Sequence, residues 1–275
     1  MTILAPAKVN LSLRVLRRRD DGFHEIESLM VPVSLCDTLR VERRDADGIE
    51  FTCSDATLPV DENNLVVRAA RSFCEAHGIA PHLSIRLEKE IPHGAGLGGG
   101  SSDAAATLLA LDRIFETRAS LAGLAAQLGS DVPFFLQKSA AIARGRGEHV
   151  EPAHFPHRLP LLLVKPPFGV PTPWAYKQWR DSLEIPGVRY AAQEFGWGAL
   201  VNDLERPVFE KYLHLAQLKM WLLAQPEVAG ALMSGSGATV FAVLRDKSDA
   251  ASLATRIGGE FGANLWTRAV ETIAE

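Results

Sequence analysis

The chain has 275 residues, 47% of them hydrophobic and 23% charged, with a formal net charge of −4. This is the composition of a globular protein long enough for two domains, and nothing in it suggests a nucleic-acid or anionic-membrane partner. Cys36, Cys53 and Cys74 are odd in number and lack C-x-x-C spacing, so they read as reduced thiols of a cytoplasmic protein. The apolar start over residues 3–7 is short, contains Pro6 and stops at Lys8, so no signal peptide is expected, and no apolar run reaches the length of a membrane span.

Val9, Leu11, Leu13 and Val15 alternate with Lys8, Asn10, Ser12 and Arg14, which predicts a strand with one buried face. The same period puts Lys8 and Asn10 side by side on the other face, as a solvated surface or as part of a site. Residues 17–20 form a charged turn, Asp21-Gly22 is a turn signal, and Phe23-His24 follows, with structural packing as its default role. Residues 39–43 and 49–53 read as a hairpin around Asp47-Gly48. Asp61-Glu62-Asn63-Asn64 caps a helix over about 65–77, stopped by Gly78. Leu83, Ile85 and Leu87 then alternate with Ser84, Arg86 and Glu88, giving a half-exposed strand.

The next stretch organises the rest. Pro92, His93, Gly94, Ala95, Gly96, Leu97, Gly98, Gly99, Gly100, Ser101, Ser102 and Asp103 run into an apolar helix, with Ser101, Ser102 or Asp103 as its cap. Free N–H groups and the helix dipole make such a loop an anion site, and its length suits a nucleotide polyphosphate. It is not a P-loop, because no lysine follows Gly100. Gly94, Gly96 and Gly99 match G-x-G-x-x-G, but the strand before them lacks the apolar character of a dinucleotide fold. A flexible linker would lack the flanking strand and helix.

A short helix runs from Ser120 to Gly129, and Asp131 stands next as an N-cap with Pro133 in the first turn, or as a carboxylate held in an apolar frame. Residues 140–144 form a strand. Residues 145–160 are rich in Gly, Pro and His, and the domain junction is placed there, between 1–155 and 156–275. His149, His154 and His157 match no metal-binding spacing. A buried strand over 159–164 precedes the turn 169–173 and a helix with Trp174, Tyr176 and Trp179, three aromatics explained by core packing alone. Residues 184–198 are a weakly patterned insertion, and Asn202-Asp203-Leu204-Glu205 leads into one long helix to about Gln225. Strands over 229–233 and 239–244 flank Ser234-Gly235-Ser236-Gly237, and a helix over 248–261 and a strand over 264–270 complete the chain.

P-x-x-x-G-L-G-G-G-S-S resembles the ATP loop of the galactose, homoserine, mevalonate and phosphomevalonate (GHMP) kinase superfamily. The triple glycine resembles one branch of it, the kinases of 4-diphosphocytidyl-2-C-methyl-D-erythritol in the non-mevalonate isoprenoid pathway. The other motifs fall in the family's order. Ala5-Pro6-Ala7-Lys8-Val9-Asn10 is similar to its first motif, Asp21-Gly22-Phe23-His24 to the branch's D-G-Y-H, Ser130-Asp131-Val132-Pro133 to G-A-D-V-P, and Ser234–Gly237 to the third motif. The resemblance implies an α+β fold of two domains, the first like ribosomal protein S5 domain 2 and the second ferredoxin-like, with the site between them. It implies transfer of the γ-phosphate of ATP, with Mg²⁺, to the substrate's 2-hydroxyl. Lys8 would lie near the transferred phosphate beside Asp131, the base. Asn10 would hold the hydroxyl, and Phe23, His24, Thr172 and Tyr176 would hold the cytidine end. Residues 92–103 would take the phosphates, and Asn64 and Leu65 the adenosine. No metal ligand and no protein partner is assigned. Phe23 replaces the branch's tyrosine, Ser130 its alanine, and Asp103 its common asparagine.

Overall fold

The computed structural model describes residues 1–137 and 139–274. Two long antiparallel strands open the chain, β1 (Thr2–Arg18) and β2 (His24–Arg43). The expected hairpin to β3 (Ile49–Cys53) does not form. After α1 (Leu65–His77), strand β4 (Leu83–Glu88) inserts between them, antiparallel to β2 and parallel to β3. The reason lies in the side chains. Leu83, Ile85 and Leu87 give β4 a continuous buried face, whereas β3 buries only Phe51 and is left at the edge.

α2 (Gly99–Phe115), α3 (Ala122–Leu128) and the single turn α4 (Val132–Phe135) cover this sheet. β5 (Ala141–Gly145) pairs with the first part of β2 and with β6 (His149–Pro152). The expected linker over 145–160 therefore contains a strand, and Phe155 within it is a buried core residue.

The second half begins with β7 (Pro160–Lys165) and α5 (Thr172–Gln178). The stretch expected as an insertion ends in a hairpin of β8 (Gln193–Phe195) and β9 (Gly198–Asn202). β9 pairs parallel with β1 at Ser12 and Leu13, so the late part of the chain extends the first sheet. The long helix expected to Gln225 is two, α6 (Glu205–Lys211) and α7 (Leu213–Leu223). It breaks at Tyr212 (φ −115°, ψ 67°), whose ring stacks on Phe168 and meets the edge of Trp174. β10 (Val228–Met233), β11 (Val240–Leu244), α8 (Ala250–Phe261) and β12 (Trp266–Glu271) complete an antiparallel sheet in the order β10-β11-β7-β12. That β-α-β-β-α-β arrangement is ferredoxin-like, and the whole is α+β.

Side-chain alternation sets the layers. Ala7, Val9 and Leu11 of β1 share a core with Leu161, Leu163, Phe241 and Val243 of the second sheet. Leu162, Val164, Val240 and Ala242 face the other way, toward the helices of the second half. Two sheets thus pack face to face, with helices on each outer side. Lys8 and Asn10, out of phase with Ala7 and Val9, point toward α2 and the glycine loop.

Candidate active site

Register shifts in the β1–β2 ladder fall between Pro6 and Lys8 and between Asn10 and Ser12. Bulges re-aim side chains, and these two bracket Lys8 and Asn10. The solvated-face alternative fails, because Lys8 is 3% exposed and Asn10 2%. Lys8 Nζ donates to Asn10 Oδ1 at 2.6 Å and to the Gly96 carbonyl at 3.1 Å, and lies 3.7 Å from Asp131 Oδ2. Asn10 Nδ2 donates to Ser28 Oγ at 2.7 Å, and that hydroxyl donates to the Ser12 carbonyl. Asn10 is thereby locked with its oxygen toward Lys8. Burial pushes the Lys8 ammonium below the usual lysine range, and the charge and hydrogen bonding of Asp131 oppose that fall.

Asp131 precedes α4 but makes no capping hydrogen bond with its side chain. The cap alternative therefore gives no account of the carboxylate, which turns to Lys8 and stays partly exposed.

The glycine loop is docked on β1 by the Lys8 N–H, which donates to the Leu97 carbonyl at 2.9 Å, and by the buried Leu97 side chain. Gly96 (φ +75°) and Gly98 (φ +73°) occupy left-handed backbone that favours glycine. A Cβ on Gly96 would overlap the Ser234 carbonyl and lie 2.9 Å from that of Gly237. The two glycine loops interlock at this point. Ser234 Oγ donates to the Gly96 carbonyl at 3.0 Å, and the Thr239 N–H to that of Ala95 at 3.2 Å. Helix α2 starts at Gly99 with Gly98 as its cap and no side-chain capping bond. Ser101, Ser102 and Asp103 are thus inside the helix rather than at its cap. The N–H groups of its first turn are left for an anion.

Asp103 is 3% exposed and sits over a buried cation. Lys89 Nζ donates to Asp103 Oδ2 at 2.7 Å and also to Asp37, which accepts the N–H groups of Glu90 and Ile91 at 2.6 and 2.9 Å. Lys89 therefore answers the charge that Asp103 adds beside the loop. Asp103 Oδ1 has no hydrogen-bond partner among the described residues. Burial raises the pKa of Asp103 to about 7 against the pull of Lys89, and Asp37 adds to the rise.

A cavity of about 1500 Å³ runs past all these groups. Its wall carries every site residue expected from the sequence except Ser102, which is buried with its Oγ unpartnered among the described residues. Asn64 does cap α1, accepting the Val66 N–H at 3.0 Å, and together with Leu65 it also lines the cavity. At the other end stand Phe23, His24, Thr172 and Tyr176. Tyr176 is stacked on His24 with ring centroids 5.5 Å apart, and Trp179 meets the His24 ring edge-on at 6.0 Å. Burial, then the charge of Arg18, lowers the pKa of His24, so its imidazole is neutral at pH 7, with one donor and one acceptor nitrogen. Thr172 Oγ1 hydrogen-bonds Ser236 Oγ at 2.8 Å, tying this end to the second glycine loop. Phe23 is 51% exposed and makes no ring contact with Tyr176 among the described residues; the Arg146 guanidinium lies 4.8 Å above its ring.

Several supporting residues carried no sequence signal. Lys89, just after β4, and Asp37, within β2, belong to no motif. Asn202 Nδ2 donates to the carbonyls of Met233 and Gly235 at 2.7 and 2.8 Å. Glu205, paired with buried Lys219, accepts the Met233 N–H. These contacts fix the second glycine loop, and only the clustering of polar residues over 202–205 hinted at them. No group of three potential metal ligands from His, Cys, Asp and Glu occurs among the described residues.

Two sheets with a glycine loop from each half meeting over a buried lysine define a small-molecule kinase of the GHMP class. The family models "GHMP kinases N terminal domain" and "GHMP kinases C terminal" match residues 64–139 and 190–264. A 4-diphosphocytidyl-2-C-methyl-D-erythritol kinase of Methylacidiphilum infernorum is 44% identical over 98% of this chain and 96% of its own. One of Pelotomaculum thermopropionicum is 42% identical over 93% of each chain. A crystal structure of 4-(cytidine 5'-diphospho)-2C-methyl-D-erythritol kinase superposes with a TM-score of 0.82 at 38% identity, covering both chains fully. The chain belongs to the 4-diphosphocytidyl-2-C-methyl-D-erythritol kinase family.

Proposed function

We propose that this chain transfers the γ-phosphate of ATP to the 2-hydroxyl of 4-diphosphocytidyl-2-C-methyl-D-erythritol, a step of the non-mevalonate isoprenoid route, in the cytoplasm. The observation that carries the reading is one cavity with an interlocked pair of glycine loops and the Lys8–Asn10–Asp131 trio along it, and an aromatic–histidine end beyond them. Phosphoryl transfer asks the protein mainly for alignment and charge stabilisation. The first-turn N–H groups of α2 and the glycine loop hold the β- and γ-phosphates. Asn10 orients the acceptor hydroxyl, whose oxygen bonds to the γ-phosphorus as the bond to ADP breaks. Asp131 takes the hydroxyl proton. Lys8, at 3.7 Å from that carboxylate, carries the positive charge that the transferring phosphoryl group meets.

Mg²⁺ fits this site as a companion of the nucleotide. Ser101, on the cavity wall in the first turn of α2, would hold it together with the phosphates and water, and it would supply charge neutralisation on the phosphates. At the far end, Phe23 and Tyr176 offer flat faces to the cytosine and His24 reads its polar edge.

The test is ADP release with a panel of cytidylyl, mevalonate and homoserine acceptors. The proposal requires kcat/KM to favour the cytidylyl compound over the others. A preference for mevalonate or homoserine, or ATP binding without turnover of any acceptor, overturns it.

A further inference from the structure

Arg146 stands on the turn between β5 and β6, flanked by Gly145 (φ +72°) and Gly147 (φ +116°). The turn touches two parts of the cavity at once. On one side the Arg146 guanidinium lies 4.8 Å over the Phe23 ring, a cation–π contact. On the other, Gly147 backs onto the base candidate, so that a Cβ there would lie 3.5 Å from Ser130 Cβ and 3.7 Å from Asp131 Oδ1. Glu148 steadies the turn by accepting the Arg146 N–H at 2.5 Å, with its other oxygen 3.6 Å from the Arg146 Nε. Arg146 therefore lines the cavity between the aromatic end and the phosphoryl-transfer end.

A substrate with its pyrimidine at Phe23 and its acceptor hydroxyl at Asp131 must lay its middle along this turn. In a diphosphocytidyl alcohol that middle is an anionic diphosphate. Neither buried lysine is free for it, since Lys8 is engaged with Asn10, Gly96 and Asp131, and Lys89 with Asp37 and Asp103. Of the other cations on the wall, Arg17, Arg18, Lys177, Arg180 and Arg146, it is Arg146 whose turn touches both Phe23 and Asp131. We propose that Arg146 is the specificity residue for the substrate's diphosphate. Phe23 parks the guanidinium beside the path, and its 51% exposure leaves ring surface for a base. A guanidinium fork matches phosphate oxygens in a bidentate way that no backbone N–H on this side reproduces. The inference rests on the functional reading above.

Isothermal titration with two probes, cytidine and cytidine 5'-diphosphate, separates the parts. The intact protein should bind the diphosphate more tightly than the nucleoside. Arg146→Ala should weaken the diphosphate by roughly 10- to 100-fold, the range of a lost charge-assisted hydrogen bond, and leave cytidine affinity unchanged. Arg146→Lys should recover part of the loss, because it keeps the charge without the fork. In turnover, Arg146→Ala should raise KM for the cytidylyl substrate and leave KM for ATP as it was. Equal weakening of both probes would mean that Arg146 serves the base or Phe23, and no weakening of the diphosphate would mean that it serves neither; each overturns the proposal. An intact protein that binds neither probe would fail the functional reading itself, and this proposal with it.

Discussion

Replacing Asp131 by asparagine separates its chemical role from its structural one. Its side chain makes no capping hydrogen bond and is 38% exposed, and the partner found for it is Lys8 Nζ at 3.7 Å. Asparagine keeps the shape and loses the charge. With an exposed partner the effective dielectric is about 40–80, so the Coulomb term lost at this distance is about 1–2 kcal/mol. That lowers the melting temperature by only a few degrees in a domain of this size, by roughly 2–4 °C per kcal/mol. The chemical loss is far larger, because removal of a general base costs about 10²–10⁴-fold in kcat. A second effect has a definite sign. Asp131 opposes the burial that lowers the Lys8 pKa, so in the variant that pKa falls further and the alkaline limb of any residual activity moves to lower pH. Rapid-quench measurement of phosphoryl transfer, with a melting curve on the same sample, reads all three. A variant with near-normal kcat and a large loss of stability would refute the assignment of Asp131 as base.

Lys8→Met should remove most turnover as well, because it takes away the buried charge nearest the reacting groups, and the fold should survive in circular dichroism because methionine fills the space of the buried lysine stem. Gly96→Ala should weaken ATP binding and cost more than about 1–2 kcal/mol, since the new Cβ needs left-handed backbone and collides with the Ser234 carbonyl; Gly98→Val should do likewise, and unchanged ATP affinity in a folded variant would remove the loop from the phosphate site. Tyr176→Ala should raise KM for the cytidylyl substrate about 5- to 150-fold, the worth of one lost base stack, with KM for ATP nearly constant, and His24→Ala should narrow the preference for cytidine over uridine. Asp103 titrates near pH 7 in the fold but near the ordinary 3.8 when unfolded, so the folded state holds more protons between these values and stability falls as pH rises through them. Asp103→Asn should flatten that part of a melting-temperature profile between pH 4 and 7 and leave Lys89 paired with Asp37; an unchanged profile would show that Asp103 is not the group responsible.

The legible parts of the sequence were those where local pattern and contact coincide. The alternation of β1 put Lys8 and Asn10 on one face, and the glycine run announced the loop and a helix after it, though α2 starts at Gly99 and not after a cap at Ser101, Ser102 or Asp103. The ferredoxin-like half was implied by the family resemblance, and the order of predicted strands and helices agreed with it. Partner choice between strands was not legible. Asp47-Gly48 is a good turn, yet β4 displaced β3 because its buried face is more continuous, a competition decided far along the chain. The break at Tyr212 was also hidden, since helix propensity there is ordinary and the ring is held by Phe168 and Trp174. Asp103 shows the same limit within the site. Beside the glycine loop it reads as an unexplained negative charge, and its counter-charge, Lys89, stands just past the end of β4, fourteen residues earlier.

The most direct measurement of the central claim is the position of the phosphate in the product. ³¹P NMR of a reaction containing ATP, Mg²⁺ and 4-diphosphocytidyl-2-C-methyl-D-erythritol should show a new monoester signal without proton coupling, as expected of phosphate on a tertiary carbinol, together with one ADP per product formed. A monoester coupled to carbinol protons would place the phosphate on a different hydroxyl. Release of ADP with inorganic phosphate in place of an ester would mean that no acceptor hydroxyl reaches Asp131. Either result contradicts the account.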